Sequence, residues 1–143
     1  MAELSERLGA EKENVERFRL DLEDVLSREE YSLVEAAAVA AFLLRICSGM
    51  ENILASALEQ SGASPARSAS WHKDLLNAAV SKGIIKEWLA VELSEYMAFR
   101  QFFVRGRGFV PEDASVKYLA VNMSNVWSDY SKQVDEYFKT TKK

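Results

Sequence analysis

The stretch from Leu33 to Leu58 constrains the fold more than any other part of the chain. Written as a helix, it is apolar on nearly every side, and Glu35, Arg45, Glu51 and, just beyond, Glu59 are its only charges. A helix that is apolar all round must be covered all round, either at the centre of a bundle or in a subunit interface. Its alanines, Ala36, Ala37, Ala38, Ala40 and Ala41, would let another helix approach closely. For a chain of 143 residues that surplus of apolar surface also predicts a homodimer formed through this helix and its neighbours. The longest unbroken apolar run, Ala36 to Leu44, is nine residues, well short of the roughly 20 that a membrane span needs. The charged N-terminus has no apolar leader core, so a cytoplasmic protein is expected.

The rest of the chain supplies the partners for that helix. Leu4, Leu8, Val15, Phe18, Leu22 and Val25 recur at helical spacing from Leu4 to Leu26, with charges on the other faces. A break is expected near Ser27 or Arg28, and the central helix then runs from Ser32 to about Gln60. Gly, Pro and four serines mark 61–70 as a loop. Ser70 is placed to cap a short helix from Trp71 to about Ser81, with Gly83 at its C-terminal cap. A fourth helix is predicted from about Ile85 to Val104 and ends at Arg105-Gly106-Arg107-Gly108. Pro111 opens the last helix, with Glu112 and Asp113 complementing its dipole. Val116, Leu119, Met123, Val126, Tyr130, Val134 and Tyr137 form its buried stripe, and the basic tail 139–143 is expected to fray. The fold class is therefore all-α: an up-and-down bundle of four long helices and one short one, in a single domain spanning 1–143.

Composition narrows the chemistry. Eighteen Lys and Arg against 22 Asp and Glu leave a net charge of −4, so any nucleic-acid contact must come from a local patch. One cysteine, Cys47, and one histidine, His72, exclude a disulfide framework and a Cys/His zinc cluster within one chain. A di-iron bundle would want Glu-x-x-His pairs on two helices, and His72 has no Glu three residues before it. No metal site or cofactor is expected.

Arg100, Arg105 and Arg107 gather among aromatics in Phe99-Arg100-Gln101-Phe102-Phe103-Val104-Arg105-Gly106-Arg107-Gly108-Phe109. Guanidinium groups fork phosphate oxygens and stack on bases, so this cluster is a candidate RNA or phosphate site. The competing reading pairs Arg100 with Glu92 or Glu95 of its own helix. His72 reads either as a capping or packing residue or as a proton-transfer group. Trp71, Trp88 and Trp127 read as core, and Cys47 as a small buried hydrophobe.

Trp71-His72-Lys73-Asp74-Leu75-Leu76 together with the arginine stretch resembles the HepT-like branch of the HEPN proteins. That branch typically carries Trp-His-(basic)-x-Leu-Leu and then Phe-Arg-His-Phe-Phe-Arg-His-(small)-Tyr-Gly-(aromatic). The resemblance implies a helical bundle, usually a homodimer, and in its toxin members a metal-independent ribonuclease using Arg, four to six intervening residues, then His. It also implies a nucleotidyltransferase antitoxin as partner, which in some members modifies the Tyr. By that correspondence Arg100 matches the family arginine, Gln101 stands at a frequent His, Arg105 stands at the catalytic His, and Arg107 stands at the Tyr. Arginine stays protonated and cannot serve as a general base. The implied function is a catalytically weak or inactive relative of toxin–antitoxin ribonucleases, acting as a dimeric RNA- or partner-binding module. Arg100, Arg105 and Arg107 would bind phosphate, and His72 is a secondary catalytic candidate beside Arg100. The alternative is an active endoribonuclease toxin neutralised by its antitoxin.

Overall fold

Local capping chemistry sets several of the helix ends. The computed structural model describes residues 2–28, 32–62, 71–104 and 114–141, which form α1 (Ala2–Leu26), α2 (Leu33–Ser61), α3 (Trp71–Ser81), α4 (Glu87–Val104) and α5 (Ala114–Thr141). The all-α bundle of four long helices and one short helix is thus the observed architecture. Ser32 caps α2 with a reciprocal box: the Glu35 backbone N–H donates to Ser32 Oγ, and the Ser32 N–H donates to the Glu35 carboxylate. Gly62 closes α2 at φ +79°, a conformation that favours glycine.

Gly83, at φ +77°, ends α3 in a Schellman arrangement, its N–H donating to Val80 O while Ile84 N–H reaches back to Ala79 O. Ile84 and Ile85 are buried in the turn that follows, so α4 starts at Glu87 rather than at Ile85. The turn is anchored by Gln133 of α5, whose Oε1 accepts from the Lys86 N–H at 2.7 Å. The expected cap at Ser70 and the helix opening at Pro111 lie outside the described residues. α5 stays helical through Thr141, past the point where fraying is predicted, with Lys139 in the last turn, where a cation favours the helix dipole.

α2 is the centre of the bundle. Ala40, Leu43, Ile46, Cys47, Met50, Leu54, Ala57 and Leu58 are all completely buried within one chain. α2 is long and apolar enough to cross a membrane, yet its apolar side chains pack against the other helices as those of a core helix do. Its apolar surface is therefore largely used inside the chain, and the exposed remainder near its start is Val34, Ala37 and Ala41.

α1 lies antiparallel against α2, with Asn52 donating to Glu11 at one end and Arg28 paired with Glu35 at the other. The close approach depends on Gly49, because a Cβ there would fall inside the van der Waals surface of Val15 Cγ2. α5 covers the other side of α1, held by the ion pair Lys12–Asp135 at 2.7 Å and by the Trp127 indole N–H donating to Glu16 at 2.6 Å. Two buried phenols tie α5 to its neighbours: Tyr130 donates to Met50 O of α2, and Leu119 O of α5 accepts from Tyr96. Burial pushes both tyrosines up from their ordinary titration range.

One reading of the aromatics needs correcting. Trp71 and Trp127 are buried, but Trp88 is 48% exposed on α4. Leu89 and Leu93 supply that helix's inward face at this level, which turns Trp88 outward together with the exposed Val91.

Candidate functional site

A carboxylate in the middle of an apolar helix organises the site. Glu51 of α2 is only 7% exposed and is the one buried charged side chain among the described residues. A charge taken out of water is costly unless it is paired and hydrogen-bonded. Three residues from two other helices compensate it. The Trp71 indole N–H at the start of α3 donates to Glu51 Oε1 at 2.8 Å. His72 Nδ1 lies 3.2 Å from the other oxygen, Oε2, and the Arg100 guanidinium of α4 brings Nη1 to 3.6 Å of that same Oε2. Arg100 is held at a second point, its Nε donating to Ser48 Oγ at 3.0 Å, one turn before Glu51 on α2.

The spacing explains why these residues meet. Ser48 and Glu51 are three apart on α2 and therefore share a face. Trp71 and His72 open α3, and Arg100 lies in the last two turns of α4. Three helix segments that are distant in sequence thus converge on one carboxylate. The competing reading, in which Arg100 pairs with Glu92 or Glu95, is replaced: its carboxylate partner among the described residues is Glu51.

The cluster is not closed. Glu51 Oε2 and His72 Nδ1 are buried and close, yet neither completes a well-aligned hydrogen bond. Beside them an open groove of about 520 Å³ runs between α3 and α4. Leu76, Val80, Ala90, Val91 and Met97 line it, together with His72 and Gln101 from the α3 start and the α4 end. The His72 side chain is 15% exposed and that of Arg100 is 28% exposed, so both can be reached from outside while Glu51 cannot.

Cys47, one residue before Ser48, contributes no nucleophile. Burial pushes its thiol up to about 12, against a smaller opposing effect of the Arg100 charge. Among the described residues no three or more His, Cys, Asp or Glu side chains are grouped to hold a metal ion. The sequence-derived candidates His72 and Arg100 are therefore brought together, whereas Arg105 and Arg107 lie outside the described residues. Glu51 and Ser48 were not among the candidates. The signal for Glu51 was a charge inside a helix expected to be buried on every side, which obliges it to find partners.

A profile of the family described as HepT-like protein matches residues 38–141. The chain belongs to the HepT-like family. The match takes in Glu51, His72 and Arg100, and it relates the protein to the toxin–antitoxin HEPN proteins. Neither the curated proteins nor the solved structures give a match. Gln101, adjacent to Arg100, lines the groove.

Proposed function

We propose that this HepT-like protein is a cytoplasmic, homodimeric, single-domain RNA-binding module in which Arg100 clamps a phosphate, with Arg105 and Arg107 as further phosphate-binding residues. The observation that carries the reading is the setting of Arg100. Its guanidinium is fixed from two sides by Ser48 and Glu51 and is partly exposed, and the next residue, Gln101, lines the groove together with His72. A pre-oriented guanidinium loses less freedom on binding phosphate than a mobile one. The family's proton-transfer position is occupied by Arg105, which cannot act as a base. Cleavage is therefore weak at most, since a positioned acid–base group contributes roughly 10²–10⁴-fold.

Binding of a fluorescent single-stranded RNA, followed by anisotropy across a salt series, tests this. Affinity should fall steeply with salt, and Arg100→Ala should weaken it and lower the salt slope by about one. An Arg100→Ala protein that matches the parent in affinity and slope would remove the proposal. A protein partner, either a second copy or a nucleotidyltransferase antitoxin, is favoured by a different observation. Trp88 and Val91 are large apolar side chains exposed one turn apart on α4, and such patches are commonly covered by another chain.

A further inference from the structure

We propose that His72 is the proton-transfer residue of a residual, metal-independent RNA cleavage, and that Glu51 is its positioning residue. The inference rests on the RNA reading above and adds to it a reaction and a base that the arginine motif does not contain.

The geometry around the imidazole carries the argument. His72 is the only histidine in the chain, hence the only side chain whose ordinary chemistry exchanges protons near neutral pH. Its Nδ1 is fully buried and faces the Glu51 carboxylate at 3.2 Å. A carboxylate on that side holds the Nδ1 proton and leaves the other ring nitrogen, Nε2, as the lone-pair acceptor. The side chain's residual exposure then belongs to its remaining atoms, and those line the groove. Glu51 cannot easily turn away, because the Trp71 indole pins its other oxygen at 2.8 Å. The imperfect His72–Glu51 alignment suits an unliganded site, since such bonds tighten when substrate arrives.

Arg100 completes the set. Its Nη1 approaches the same Glu51 oxygen as His72 Nδ1, so one carboxylate holds a cation beside a base, and the base lines the groove. A phosphodiester held by Arg100 would present the neighbouring ribose to His72. His72 Nε2 takes the 2′-hydroxyl proton as the 2′-oxygen bonds to phosphorus and the bond from phosphorus to the 5′-oxygen breaks. Water protonates the departing 5′-oxygen, and the imidazolium releases its proton to the hydroxide so formed. The products are a 2′,3′-cyclic phosphate and a 5′-hydroxyl, with no oxidant or metal consumed. Glu51 stabilises the imidazolium formed on the way, as a carboxylate behind a catalytic imidazole does.

The experiment uses the full chain in EDTA with a mixed-sequence fluorescent RNA and its all-2′-deoxy counterpart, and RNA binding is measured in parallel by anisotropy. The parent should cut RNA slowly, leave the deoxy strand intact and yield the cyclic phosphate. His72→Ala should lose at least roughly 10²-fold in rate, and added imidazole should restore part of it. Glu51→Gln keeps an acceptor for Trp71, so it should fold, and because Glu51 also holds Arg100 its RNA affinity is read by anisotropy beside the rate. The substitution should lower kcat by a larger factor than it raises KM. The other charged groups facing this site, Arg100, Lys73 and Glu87, are left in place by that substitution. A parent that binds RNA without cutting it overturns this inference and leaves RNA binding standing. Cleavage by His72→Ala at the parent's rate, or a loss that imidazole does not relieve, also overturns it. A parent that does not bind RNA overturns the RNA reading itself.

Discussion

The bundle contains the same three side-chain types twice, a tryptophan, a glutamate and an arginine, and the two sets behave differently. In one, the Trp127 indole donates to Glu16 at 2.6 Å, and Glu16 pairs with Arg19 on the same helix. Arg19 is taken up further by Glu23 at 2.8 Å and by Ser124 of α5. The Arg19 hydrogen bond is the main influence holding the Glu16 carboxyl below the usual carboxylate range, with burial opposing it. The Glu16 side chain is 42% exposed. In the other set Glu51 is buried, its arginine stands back at 3.6 Å on another helix, and a histidine crowds the same oxygen next to a groove. The first set is a strut between α1 and α5. Each set leaves buried polar atoms unpartnered, Arg19 Nε in the first and Glu51 Oε2 and His72 Nδ1 in the second, but in the second the two atoms face each other from different helices beside a groove that a ligand can enter.

That contrast makes quantitative demands. The largest effect is expected from Glu51→Ala, which strands the Trp71 N–H, His72 and Arg100 around a cavity; it should cost about 2–4 kcal/mol in chemical denaturation. If it costs no more than Glu16→Ala, the distinction between the two sets fails. Gly49→Ala comes next. It probes the α1–α2 contact midway between the sets, and it should destabilise by about 1–3 kcal/mol through overpacking against Val15, whatever alanine gains in helix propensity. Glu16→Gln should cost under about 1 kcal/mol at neutral pH, because the pair is substantially solvated.

The pH dependence of that last variant has a definite sign. A carboxyl whose pKa is depressed on folding adds stability above its unfolded pKa, and that stability is lost as pH falls through the folded value. The gap between parent and Glu16→Gln should therefore close on acidification, and equilibrium melts across the acid range would show it. The smallest effect belongs to Trp88→Phe, which should change stability by no more than about 0.5 kcal/mol. It should also remove most of the iodide-quenchable tryptophan fluorescence, because Trp71 and Trp127 are buried.

Most of the helices were legible in the sequence because their determinants are local. The 3.6-residue period of α1 and α5, the Ser32–Glu35 box and Gly83 each act within a few residues and need no tertiary knowledge. Half of the candidate site was legible for a different reason: Arg100 and His72 stand in stretches with a recognisable family pattern. Glu51 was not singled out, although its helix was correctly expected to be buried. Its role depends on side chains 20 and 49 positions away, and only the packing of three helices decides which carboxylate meets them. Trp88 misled for the complementary reason. Its type and spacing suit a core, but Leu89 and Leu93 already fill the inward face of α4.

Cys47 can serve as a built-in clock for the bundle. Disulfide exchange and alkylation proceed through the thiolate, and a thiol pushed up to about 12 within a fully buried position supplies almost none at neutral pH. A thiol reagent added to the native protein should therefore react only when the core opens around α2. Because the chain has a single cysteine, each modified molecule records one such opening. Mass spectrometry along a time course would then give the opening frequency of the very helix that carries Ser48 and Glu51, with no substitution or label introduced beforehand.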